Sequence, residues 1–289
     1  MRRITGLVQR VSRRLSRTRV KRLGQLRLLR PLAAKVGRIA RGKDFTTKVR
    51  GVKLTMPGYV DYYTNRFERP TLDWLSANLQ PGLLVADVGA HIGFLTIFMA
   101  RLVGERGRVY AFEPAPDNLW YLRRNVAQNA AANVVVVPAA AGARRATRIL
   151  YLVEEGDMHS LFPDNPLSHA VGTVEVEQLA MDDVVSHLDL AKIDVEGAEI
   201  EVLHGMGEIL AQQPKPVLVV EWSPTCQLTA GHEPEELIQV LRDFGYEPLI
   251  LGEPAGGGRS VDDVMRELRA GSVPSNWYAN LLCMPPGRG

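Results

Sequence analysis

Val85-Ala-Asp-Val-Gly-Ala-His-Ile-Gly-Phe-Leu-Thr96 is the stretch that decides the fold. An apolar run ends in Asp87, passes two glycines and enters a helical pattern, as a strand does when it feeds a helix at a ligand-binding edge. Gly89 permits a tight turn and Gly93 a close approach of helix to strand, so N–H groups at the helix start can meet a small anionic group. A dinucleotide fingerprint would require glycine at His91, and an imidazole there obstructs a pyrophosphate. A ligand with a carboxylate and no pyrophosphate fits better. Glu113, in Tyr110-Ala-Phe-Glu-Pro114, closes the next apolar run, where a carboxylate can accept both hydroxyls of a ribose.

Outward from this stretch, β-type runs alternate with helical patterns, which predicts an α/β fold on a mostly parallel sheet. Strands are expected at Leu83 to Val88, Arg108 to Phe112, Val134 to Val137, Leu190 to Val195, Val217 to Trp222, Pro248 to Leu251 and Trp277 to Cys283. Helices are expected at Phe94 to Leu102, Asp117 to Ala127, Ile200 to Leu210, Pro234 to Phe244 and Val261 to Ala270. Pro234 suits a first turn, Gly245 and Gly271 suit positions just past a helix, and Ser260 with Asp263 reads as a capping pair. Thr147 to Val153 and Gly172 to Glu177 read as an inserted pair of strands around a polar loop carrying His159 and His169, where a lone histidine is more often solvated. Gly256 to Gly258 reads as a flexible turn.

Asp194 ends an Ile/Val strand, and Glu196 with Gly197 opens the following turn, so both acids should face the crevice beside the glycine loop. Glu199 is better explained as a helix N-terminal acid complementing the dipole.

With Asp-x-Gly-x-x-x-Gly followed by an acid at the second strand end, the sequence resembles the FkbM family of methyltransferases. The resemblance rests on Asp87 to Thr96, Gly107 to Pro114, Asn133 to Ala141 and above all Lys192-Ile-Asp-Val-Glu-Gly-Ala-Glu199, with Glu221 at the next strand end. It spans roughly Glu68 to Leu251. It implies a Rossmann-like class I methyltransferase fold, a seven-stranded, mostly parallel sheet with a reversed last strand, S-adenosylmethionine as methyl donor, and a hydroxyl acceptor on a small molecule or on a glycolipid or polyketide sugar. Cofactor-binding positions are then Glu68, Asp87, Gly89, Ala90, His91, Gly93, Phe94, Thr96, Glu113, Pro114, Asn118 and Ala140. Asp194 and Glu196 would be catalytic, orienting and deprotonating the acceptor hydroxyl. The family usually has Asn where this chain has His91. No metal is required, although Asp194, Glu196 and Glu221 are hard ligands that would suit Mg²⁺.

The chain has 289 residues and a net charge of +3. That small total hides a division, because residues 1–50 hold 17 Lys and Arg against Asp44 alone, and the remainder holds 18 against 31 acids. Ile4, Leu7, Val8, Val11 and Leu15 recur at helical steps among arginines, the pattern of a basic amphipathic arm over 1–43. Through residues 1–30 such an arm suits an anionic membrane surface, and less well a nucleic-acid clamp or a transit peptide. A lead-in or cap at 44–80 and a methyltransferase domain at 81–289, with its insertion near 147–177, complete the expected organisation. Tyr59, Tyr62, Tyr63 and Phe67 in the lead-in read as a lid or as core.

Two cysteines make no disulfide framework and no secretory signal opens the chain, so a cytoplasmic protein is expected, peripheral at a membrane if the arm binds one. An RNA methyltransferase is the alternative enzyme. Cys226 follows the fifth strand where a nucleophilic thiol would sit, but the partner cysteine of that chemistry is absent from Asp194-Val-Glu-Gly197. A catalytically silent, membrane-tethered Rossmann domain is the alternative from another class.

Overall fold

The computed structural model describes residues 44–57, 68–153, 159–163, 166–167, 169–253 and 259–285. The basic arm, the aromatic residues 59, 62, 63 and 67, residues 154–158, 164–165 and 168 of the polar loop and the turn at 256–258 lie outside the described residues. A hairpin comes first, β1 (Asp44–Val49) and β2 (Val52–Pro57), turned by Arg50 and Gly51 with φ of 48° and 83°. Two consecutive positive φ values give the turn twist that matches paired strands. Then follow α1 (Arg69–Asn78), β3 (Leu84–Val88), α2 (Phe94–Val103), β4 (Arg108–Phe112), α3 (Pro116–Gln128) and β5 (Val134–Val137). The insertion contributes β6 (Ala140–Ala141), β7 (Ala146–Val153) and β8 (Ala170–Leu179), a separate three-stranded sheet ordered β6-β8-β7. The chain continues through β9 (Leu190–Ile193), α4 (Glu199–His204), α5 (Gly207–Ala211), β10 (Val217–Trp222), α6 (Pro224–Thr229), α7 (Pro234–Asp243), β11 (Glu247–Ile250), α8 (Val261–Arg269) and β12 (Ala279–Met284).

Seven of these strands form one sheet in the order β11-β12-β10-β9-β3-β4-β5. The pairs β10–β9, β9–β3, β3–β4 and β4–β5 are parallel, whereas β12 runs antiparallel to both β10 and β11. The expected reversed last strand is therefore present. β10 is buried at every position and β9 likewise, as continuous apolar runs require when helices cover both sheet faces. One face packs Leu218, Val220, Ile193 and Ala191 against Ile200, Leu203, Leu237 and Val264. The other packs Val85, Val109 and Val219 against Ile97, Phe98, Leu75 and the hairpin residues Leu54 and Met56.

Two expectations change. The helix expected over Ile200 to Leu210 is broken into α4 and α5 at Gly205, a residue with poor helix propensity. The carbonyl of Gly142 passes so close that a Cβ at Gly205 would lie 2.0 Å from it. The strand expected to reach Val195 stops at Ile193, because Asp194 turns into the loop with its N–H bonded to the Val88 carbonyl at 3.0 Å. The helix punctuation agrees with the sequence. Ser260 and Asp263 form a reciprocal capping box, Pro234 opens α7, and Gly245 and Gly271 carry φ of 83° and 65° just past their helices.

Candidate active site

Strand order reverses between β3 and β9, and ligands of open α/β sheets bind outside the strand ends at such a switch point. A cavity of about 310 Å³ opens there, at the low end of ligand pockets. Register explains which side chains meet in it. Asp87 pairs with Lys192, Lys192 with Val219, and Ile193 with Val220, so Asp194 and Glu221 leave adjacent strands side by side. Lys192 and Asp194, two residues apart, share a sheet face.

Glu68, Asp87, Gly89, Ala90, His91, Phe94, Glu113, Pro114, Asn118 and Ala140 line the cavity, together with Asp194, Glu196 and Glu221. Gly93 and Thr96 are not among its lining residues. Gly93 caps α2 in the left-handed region at φ 88°, and Thr96, fully buried, donates its hydroxyl to Asp87 Oδ2. Both therefore shape the loop rather than face the cavity. His91 itself has φ 51°, a conformation in which Asn and His are enriched, so the exchange of the family's Asn for His suits the backbone. Its N–H donates to Glu113 Oε2 at 2.8 Å, a bond indifferent to the side chain.

Glu113 accepts a second bond from the Ala115 N–H at 2.8 Å and a longer one from Asn118 Nδ2 at 3.4 Å. Burial lifts its carboxyl to about 7 despite these donors. Burial likewise lifts Asp87 to about 6, opposed by the Thr96 hydroxyl and by Lys192. Burial, reinforced by the Asp194 and Glu196 carboxylates, pushes Glu221 well above the usual carboxylate range.

Sequence reasoning gave Lys192 no role. It is 1% exposed, its ammonium 2.8 Å from Asp194 Oδ2 and 3.9 Å from Glu68 Oε1, and these acids hold it charged despite burial. The signal was a lone lysine inside the four-residue apolar strand Leu190–Ile193. Asn280 of β12 completes this group by donating to Glu68 Oε2 at 2.8 Å. The insertion adds Leu150, His159, Leu161 and Leu167 to the wall. His159 accepts the Val153 N–H on Nδ1 at 2.9 Å, which places its proton on Nε2 in the neutral ring, and burial lowers its basicity. Ser160 donates to the Glu196 carbonyl at 3.1 Å and ties the insertion to the turn.

Glu196 adopts φ 54°, a left-handed conformation uncommon for this residue, and its Oε2 accepts the Cys226 thiol at 3.2 Å. Cys226 is buried, and burial together with Glu196 raises its thiol far above the ordinary value, so it is a poor nucleophile. Glu199 is fully enclosed, receiving the N–H groups of Val195 and Gly197 and the Gln227 amide, which agrees with the structural role expected for it.

Among the described residues, six carboxyl groups thus line the cavity and no lysine or arginine does, Lys192 being buried beside them. Such a cavity rejects phosphates and favours a ligand bearing positive charge. S-adenosylmethionine, with its ammonium and sulfonium groups, matches that charge. Fold and site define a class I S-adenosylmethionine-dependent methyltransferase. The methyltransferase FkbM domain matches residues 87–248, and the chain belongs to that family. Methyltransferase sdnD of Sordaria araneosa is 28% identical over 59% of this chain and 76% of its own length. The 31-O-demethyl-FK506 methyltransferase FkbM of Streptomyces tacrolimicus is 28% identical over 67% of this chain and 84% of its own. A crystal structure of methyltransferase FkbM from Methylobacillus flagellatus KT superposes with a TM-score of 0.42 at 19% identity, covering 70% of this chain and 43% of that one.

With Glu113 in the ribose-binding role expected for it, cofactor affinity would be pH-dependent. Ribose hydroxyls donate to the ionised form, so affinity should fall as pH drops through about 7. Stability of the empty protein should move the other way. The folded state keeps the Glu113 proton up to about 7 while the unfolded chain releases it near 4.5, so this contribution is present in acid and lost as pH rises through 7. Calorimetric titration of the cofactor at pH 6 and 8, beside melting curves of wild type and Glu113→Gln, checks both signs. The variant should bind weakly at either pH and melt with a flatter pH dependence.

Proposed function

We propose that the chain is an O-methyltransferase whose acceptor is a hydroxyl of a small molecule or of a glycolipid or polyketide sugar. The observation that carries this reading is the convergence of Asp194, Glu196 and Glu221 at the cavity, beyond the Glu113 end that suits a ribose. The Streptomyces relative's name, a 31-O-demethyl-FK506 methyltransferase, supports an oxygen acceptor. When bound, the cofactor supplies a methyl group already activated on a cationic sulfur. The protein's task is then to align a hydroxyl and receive its proton. Asp194, fixed by Lys192, orients the hydroxyl as a hydrogen-bond acceptor. Glu196, from the same turn, would receive the hydroxyl proton. Leu150, Leu161 and Leu167 offer an apolar scaffold a surface to rest on.

We assign residues 1–30 of the basic arm over 1–43 to an anionic membrane surface, residues 44–80 to a lead-in or cap and 81–289 to the methyltransferase domain, with the protein cytoplasmic and peripheral. No helix among the described residues is long and apolar enough to cross a membrane. The experiment is isotope-labelled methyl transfer into lipid extract, secondary-metabolite extract and RNA, with full-length and arm-deleted protein. Base-stable label in lipid or metabolite is expected, with arm deletion lowering transfer to vesicle-borne acceptor. Label in RNA alone would refute the acceptor class, and an unchanged rate without the arm would refute its role.

A further inference from the structure

We infer that Asp194, Glu196 and Glu221 form a binding site for one divalent hard cation, Mg²⁺ being the ion their chemistry favours. One oxygen from each lies within 4.8 Å of the others. Oxygens in neighbouring octahedral positions around Mg²⁺ are about 3 Å apart, so closing on the ion takes roughly an ångström or two of side-chain rotation.

A second observation points to a ligand. Glu221 is 9% exposed, lines the cavity, and among the described residues its carboxyl receives no hydrogen bond and enters no ion pair. Its neighbour Asp194 has the Lys192 ammonium, and Glu196 has the Cys226 thiol. A buried carboxylate without a donor is costly unless something positive completes it. The Lys192 ammonium, which acts on Glu221 only through space, has Asp194 and Glu68 as its ion-pair partners. The carboxylates come from the ends of adjacent parallel strands and from the positive-φ residue Glu196, so the backbone holds them together. Water ligands kept by the ion would face the cavity, where an acceptor oxygen could replace one.

The assignment rests on the reading of this end of the cavity as the acceptor end, and the test separates the two. Mg²⁺ alone is titrated into the full chain by calorimetry at neutral pH, without cofactor or acceptor, and Mn²⁺ binding is followed by its electron paramagnetic resonance signal. One saturable site with a dissociation constant of about 1 mM or tighter is expected. Glu221→Gln and, as a second variant, Glu196→Gln should each weaken binding by at least about tenfold, while Glu175→Gln on exposed β8 leaves it unchanged. Circular dichroism of each variant verifies its fold. Absence of a saturable site, or binding that survives Glu221→Gln, overturns the assignment. S-adenosylmethionine titrated into the same samples reports on the methyltransferase reading independently: cofactor binding without metal binding leaves that reading standing and removes this one.

Discussion

Asp194→Asn is expected to lower the turnover of methyl transfer by about 10² to 10⁴-fold, the range for loss of a positioned proton-handling group. The cofactor's dissociation constant should change far less, because the substitution keeps the backbone contact with the glycine loop and leaves the Glu113 carboxyl untouched. The substitution keeps size and shape but halves the attraction holding the hydroxyl, and it leaves Lys192 with Glu68 as its remaining ion-pair partner. Single-turnover kinetics with saturating cofactor, together with a binding titration, separate the two quantities. Near-normal turnover with intact binding would remove Asp194 from the chemistry, and the same measurement on Glu196→Gln would show whether its neighbour carries the proton.

Gly89→Ala should be the most damaging substitution for the fold at this site. Gly89 has φ 86°, and a Cβ there would lie 1.8 Å from the backbone carbonyl oxygen of Asp194. Left-handed backbone alone costs an alanine about 1–2 kcal/mol, and the clash is with main chain that no rotamer change can relieve. A total loss above about 4 kcal/mol is expected, among the largest single-residue effects. Chemical denaturation of the purified variant measures it, and a loss under about 1 kcal/mol would mean that the β3 turn and the Asp194 turn are not packed as described. The same contact links cofactor loop to acceptor turn, so any soluble fraction should be inactive.

The sheet was legible in the sequence where apolar runs are sharply ended. Arg108–Phe112, Val134–Val137 and Val217–Trp222 coincide with the expected strands to the residue, because β-branched and aromatic runs there stop at polar residues or proline. Asp87, Glu113 and Asp194 were legible for the same reason, as acids standing where apolar runs stop. What escaped was non-local. Nothing near Lys192 in sequence announces that it meets Glu68, nor that Asn280 bonds Glu68 across 212 positions. Gly93 and Thr96 show the reverse failure. They belong to the motif without lining the cavity, and a residue that shapes a loop looks like one that faces a ligand in a sequence pattern.

The place of β12 has a consequence for synthesis of the chain. Its strand slots between β10 and β11, carries Asn280 to Glu68, and is preceded by Asn276 and Tyr278 in the cavity wall. A nascent chain emerging from the ribosome can assemble the glycine loop and the Lys192 group's other members early. It cannot close the wall, or pair the facing edges of β10 and β11, until β12 has been released. Catalytic competence should therefore wait for β12, and chains truncated before Ala279 should present two bare strand edges for a protease or chaperone to recognise.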